Sequence, residues 1–180
     1  RAALGRLEPL NLYATTQRHT GAVFDKLQFR NFAMAVAAAG EHFANARRLV
    51  GAGADAVKFE GGLIPQVEAI VADGIPFVGH IGMLPQHVRE EGGYRKKGKT
   101  PEQAASLLDE ALALESAGAI ALVLESMVAA VAASITDHLA IPTIGIGAGT
   151  RCDGQILVLH DLLGAFPWFR PAFATPRADL

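Results

Sequence analysis

The sequence predicts an α/β fold, a closed β/α barrel of parallel strands, and three observations carry that prediction. Short apolar runs alternate with helical patterns, the runs are apolar throughout, and charged residues gather where the runs end. Strands alternating with helices make a parallel sheet, and strands without polar alternation are covered on both faces. An open doubly wound sheet meets these two conditions equally well. The third favours the barrel, which builds its active site at the C-terminal ends of separate strands.

The strand-like runs are "ADAVKFEG" from 54, "IPFVGHIG" from 75, "AIALVLE" from 119, "IPTIGIG" from 141 and "GQILVLH" from 154. Between the first two, "GLIPQVEAIVADG" (62–74) places Ile64, Val67, Ile70 and Val71 at helical spacing and stops at Gly74. Ahead of the third, "TPEQAASLLDEALALESAG" (100–118) offers Thr100 as N-cap, Pro101 at the first helical position and Gln103 three residues after the cap, and it ends at Gly118. A polar loop, 83–99, is inserted before that helix. Loops of this length in a compact domain are commonly functional.

The 180 residues suit a single domain, 1–180, and with 51% apolar and 19% charged residues there is ample material for one core. A net charge of -2 argues against a nucleic-acid surface, which needs clustered Lys and Arg. The densest basic patch, "YRKKGK" at 94–99, reads as a solvated loop. Cys152 stands alone, so neither an intramolecular disulfide nor a cysteine metal cluster can form, and a reducing compartment fits. No apolar run approaches bilayer length and no secretory signal opens the chain, so no membrane partner is expected.

Six charged or titratable residues fall at or near run ends: Lys58, Glu60, His80, Glu125, His160 and Asp161. Lys58 and Glu60 lie two apart, so on a strand they share a face; they serve either as a structural ion pair at the barrel mouth or as ligand-holding groups. His80 alone reads as a hydrogen-bonded core histidine or a catalyst. Glu125 is a base with a raised pKa or an acid favoured by the following helix N-terminus. As a set they suit proton abstraction beside a carbonyl, with a carboxylate base and a cation or divalent metal to stabilise the developing oxyanion. Glu60 is an oxygen donor suited to magnesium, although one carboxylate does not make a metal site. "GIGAGT" (145–150) fails the dinucleotide-binding GxGxxG pattern at Thr150.

"AVKFEGG", "VGHIGMLPQ", "GGYRKKGK", "ALALESAGAIALVLES" and "IPTIGIGAGTRCDGQILVLHDLLG" resemble, in order and spacing, the ketopantoate hydroxymethyltransferases of pantothenate biosynthesis, from Asn45 to Leu163. The resemblance implies a (β/α)8 TIM-type barrel that binds Mg2+ and transfers a hydroxymethyl group from 5,10-methylenetetrahydrofolate to the 2-oxo acid 3-methyl-2-oxobutanoate. It implies a cytoplasmic homo-oligomer, often a decamer. By the same resemblance Glu125 falls on the general base, Lys58 and His80 on residues that hold the oxo acid, and Glu60 on the acid near magnesium.

The N-terminal third, 1–44, departs from the family pattern, and the barrel is expected to be shortened there. The family's metal-binding aspartates lie in an Asp-Ser turn and an Asp-Leu-Pro-Phe turn. Gapless alignment places "RNFA", Arg30 to Ala33, over the second and finds nothing for the first. "ATTQRHTGAVFDKL" (14–27) resembles the first strand and helix, which implies about two βα units missing between Asp25 and Arg30. Leu84 stands where the family has threonine, Lys97 where it has glutamine and Val128 where it has proline. Two alternatives stay open: a metal-dependent lyase or mutase of the isocitrate lyase and phosphoenolpyruvate mutase type, for which Cys152 is poorly placed, and a non-catalytic barrel remnant.

Overall fold

The computed structural model describes residues 32–34, 42–165 and 171–175. Six strands, β1 (Phe32–Met34), β2 (Ala56–Lys58), β3 (Phe77–Gly82), β4 (Ala121–Glu125), β5 (Thr143–Ile146) and β6 (Gly154–Gln155), form one sheet in sequence order, every pair parallel. A doubly wound sheet reverses its strand order at a switch point. This sheet does not, so among the described residues the order is that of a β/α barrel, left open between β1 and β6.

Helices α1 (His42–Gly51), α2 (Ile64–Ala72), α3 (Pro101–Ser116) and α4 (Ala129–His138) each precede the next strand, and a short α5 (Leu159–Leu162) follows β6. Thr100 caps α3 as expected: its side chain accepts the Gln103 amide at 3.3 Å, while the Gln103 side chain reaches past the cap to the Lys99 amide at 2.9 Å. At the other end Gly118 takes φ +95, and the amides of Gly118 and Ala119 bond back to the carbonyls of Glu115 and Leu114. Only glycine enters that left-handed turn cheaply, which is why the helix ends where it does.

The sheet's two faces differ. Val57, Phe77, Ile81, Leu122 and Leu124 pack with α1 to α4 through Ala46, Val67, Ile70, Leu114 and Ile135 in the main core. The alternate residues, Val78, Ala121, Val123 and Ile146, form a smaller cluster to which no helix contributes among the described residues. A barrel interior has this character, and Lys58, His80 and Glu125 share its parity.

Three expectations change. β6 is only Gly154–Gln155, and His160 and Asp161 lie on α5 instead of at a strand end, because the chain leaves the sheet after the Ile156 amide bonds to Gly145. β2 stops at Lys58, so Glu60 lies in the bend beyond it. Of "RNFA", Phe32 and Ala33 form part of β1 and not a turn, whereas Arg30 and the stretch 14–27 lie outside the described residues. Among the described residues no helix is long and apolar enough to cross a membrane.

Candidate active site

Strand register sets the site. Lys58 pairs with Val78, His80 with Val123 and Glu125 with Ile146, so each charged residue stands one step further along its strand than the last and the three climb diagonally across the inner face. Lys58 Nζ lies 2.8 Å from His80 Nδ1, and His80 Nε2 lies 3.0 Å from Glu125 Oε2. An ammonium group only donates, so with Lys58 charged His80 Nδ1 accepts and the ring proton sits on Nε2, beside Glu125. That second contact is close but off the N–H direction, which leaves Nε2 without a formed hydrogen bond. Its force is electrostatic.

Lys58 and His80 are 6% and 3% exposed, so the lysine charge and the imidazole beside it are largely removed from water. Burial pulls the Lys58 ammonium below the usual lysine range, and the carboxylates of Glu60 and Glu125 oppose that shift. Both glutamates therefore act on this one lysine. Glu60 is fixed from the far side, where its Oε2 accepts the Gln86 amide at 3.0 Å from the 3-10 turn Pro85–His87.

Of the four, Glu125 lines a cavity among the described residues. The cavity, of about 630 Å³, is lined by Met83, Tyr94, Lys96, Glu125, Ile146 and Asp161, with Ser126 and Phe173 at its edge. Asp161 thus joins Glu125, though from α5; His160 does not line this space. Ser126 takes φ +47 and is the one non-glycine residue with positive φ among those described. Its amide donates to Ile146 and its carbonyl accepts from Lys97, so the chain is clamped immediately after Glu125. Ser126, Tyr94 and Lys96 are not among the residues that the strand ends single out; the length of the 83–99 loop is the available signal.

Among the described residues no three His, Cys, Asp or Glu side chains converge to hold a metal ion. Glu60 supplies one carboxylate whose Oε2 is already engaged, which does not by itself fit a magnesium centre, and no chemical step below passes through one. Cys152 is 1% exposed behind β5, and burial pushes its thiol up, so it does not serve as the reactive loop cysteine of the lyase reading.

Fold and site together define a parallel β/α protein with a buried lysine–histidine–carboxylate chain at the carboxyl edge of its sheet. The family model described as ketopantoate hydroxymethyltransferase matches residues 17–180. Curated relatives named 3-methyl-2-oxobutanoate hydroxymethyltransferase include those of Cenarchaeum symbiosum, 53% identical over 138 residues (76% of this chain, 53% of the relative), and Geotalea daltonii, 54% identical over 139 residues (76% and 52%). That of Ignicoccus hospitalis is 54% identical over 137 residues (75% and 52%). The chain belongs to the ketopantoate hydroxymethyltransferase family. It spans about half the length of the curated relatives it matches.

Proposed function

We propose that this chain takes part in transferring a hydroxymethyl group from 5,10-methylenetetrahydrofolate to 3-methyl-2-oxobutanoate, giving 2-dehydropantoate, and that Glu125 is the base that removes the C3 proton. The observation that carries the reading is the position of Glu125: its carboxylate lines the cavity while His80 Nε2 stands 3.0 Å from Oε2. One oxygen faces the imidazole, and the carboxylate is left able to accept a proton from a substrate in the cavity. As that proton leaves, charge grows on the substrate's carbonyl oxygen. Lys58 and His80, which we assign to holding the oxo acid, stand next to Glu125 in the buried chain: Lys58 brings positive charge and His80 an Nε2–H that can donate, and in a poorly solvated site such groups act strongly on a developing anion. Ile146, Met83 and Phe173 give the cavity the apolar wall that a branched oxo acid would meet.

Glu60 is the carboxylate we assign to a magnesium ion; the remaining ligands would come from water, substrate and groups outside the described residues. We further propose a homo-oligomer, a decamer by family resemblance, in the cytoplasm. Analytical ultracentrifugation tests the assembly.

The test of the reaction is deuterium exchange at C3 of 3-methyl-2-oxobutanoate, followed by proton NMR with and without magnesium. Exchange that falls by about 10²-fold or more in Glu125→Gln supports the assignment. Exchange at the wild-type rate in that variant, or none in the wild type under either condition, overturns it.

A further inference from the structure

The described residues shape a second cavity, an open one of about 820 Å³, between the 94–99 loop and the first turns of α3. Four cations line it, Arg95, Lys96, Lys97 and Lys99, and three acids, Glu91, Glu102 and Glu110. Lys97 is committed to Glu91 at 2.6 Å. No ion pair among the described residues engages Arg95, Lys96 or Lys99. The opposing acids are weaker than their number suggests, since burial raises the Glu110 carboxyl above the usual range. The cavity therefore presents three uncommitted cations. Arg95, Lys96 and Lys99 are exposed, as a solvated loop requires, and they also line this cavity.

This space is not isolated from the site. Lys96 lines both cavities. The loop is also tied to the strand that carries Glu125: the Lys97 amide donates to Ser126, and the Val128 amide donates to the Lys97 carbonyl. Two main-chain bonds thus fix the cations relative to the proposed base. An elongated ligand with its reacting head beside Glu125 and an anionic end past Lys96 would occupy both spaces at once.

We propose that the second cavity receives the carboxylate tail of the one-carbon donor, the glutamate end of the folate, while the head lies beside Glu125. The inference rests on the transferase reading and specifies where its second substrate ends. Exposed cation–carboxylate contacts contribute a factor of roughly two to five each, so three cations facing additional glutamates give on the order of tenfold. Salt weakens such contacts.

The experiment measures the affinity of this chain for tetrahydrofolate carrying one glutamate, for tetrahydrofolate carrying three γ-linked glutamates, and for free γ-triglutamate, by calorimetry at low and high salt. The triglutamate folate is expected to bind about tenfold more tightly than the monoglutamate form. That preference should shrink in high salt and fall below about twofold in Arg95→Gln/Lys96→Gln/Lys99→Gln. The single variants Arg95→Gln and Lys99→Gln, at exposed positions, should each lose part of it and stand in if the triple variant does not fold. Equal affinity for the two folates overturns the proposal, as does a preference that survives in the variants. Free triglutamate binding as tightly as its folate also overturns it, by making the cavity a general anion site. The C3 exchange assay uses no folate, so wild-type exchange without a tail preference removes this inference alone, whereas failed exchange counts against the transferase reading.

Discussion

Gly82→Ala tests the geometry on which the proposed base depends. Gly82 has φ +99 and pairs with Glu125 across the β3–β4 ladder, and a Cβ there would lie 2.3 Å from the Glu125 carbonyl oxygen and 2.9 Å from Met127 Cε. That oxygen is held by the Met83 amide at 2.9 Å. The contact is about 1 Å too short, because carbon and oxygen normally approach no closer than about 3.3 Å. The backbone of Glu125 must therefore move. Forcing alanine into the left-handed region costs about 1–2 kcal/mol, overpacking about 1–3 kcal/mol and the weakened Met83 bond about 1 kcal/mol, giving about 3–6 kcal/mol in total. Gly53→Ala is the matched control. Its φ is +102, yet an added Cβ meets nothing within 4 Å, so it should cost only the conformational part, about 1–2 kcal/mol. Urea unfolding of both variants isolates the contact. In whatever fraction of Gly82→Ala stays folded, C3 exchange should fall on the order of 10²-fold, since displacing a catalytic group by about 1 Å has that effect. Equal destabilisation of the two variants, or full exchange in folded Gly82→Ala, would refute the placement of Glu125.

Three further outcomes are expected. Asp153, 1% exposed, accepts from the Thr143 amide at 2.9 Å and its hydroxyl at 3.1 Å; Asp153→Ala strands the amide, while the hydroxyl can turn to Thr136 Oγ1 at 2.9 Å, and should cost about 1–3 kcal/mol in urea unfolding, Asp153→Asn less, and no measurable loss for alanine would contradict the account. Because Glu125 holds the lowered Lys58 pKa partway up, Glu125→Gln should lower it further, observable by NMR of the lysine side chain; an unchanged or raised value would show that the two do not interact. The linked effect on stability has a definite sign: Lys58 carries fewer protons folded than unfolded, so its burial penalty is complete below the folded pKa and fades as pH rises toward the unfolded value, a recovery that should begin at lower pH in Glu125→Gln. Ser126→Gly, at φ +47, should alter the unfolding midpoint little, because relief of strain offsets the added freedom of the unfolded chain, whereas Ser126→Val should cost about 1–3 kcal/mol.

The fold was legible where local chemistry decides it. Thr100, Pro101, Gln103 and Gly118 mark the ends of α3, and the structure starts and stops that helix at Pro101 and Ser116. The run at 154 reads longer than the strand it forms for a physical reason: "ILVL" is apolar enough for a strand, but the chain leaves β5 after the Ile156 amide, and Leu157 and Val158 stand exposed. Hydrophobicity measures the tendency to be covered and does not say which element does the covering. The alternating pattern alone does not give strand order, since both candidate architectures share it; the charged strand ends favour the barrel, and the consecutive parallel register agrees with them.

The site follows the same division. In strands buried on both faces the apolar residues do not reveal which parity faces the helices, so the occasional charged residue becomes the informative one. Lys58, His80 and Glu125 share a parity because an ionisable group facing the helices would be buried among Leu114, Ile70 and Ile135 without a partner. The inner face gives each of them another as neighbour, and the strand sequences carry that arrangement openly. The tether between the basic loop and the segment after Glu125 leaves no such mark. It consists of the Lys97 amide on Ser126 and the Val128 amide on Lys97, formed by groups that every residue except proline possesses. Side chains can announce a charge cluster from a strand end, but a loop held in register by its main chain is visible only once the fold has brought the two segments together.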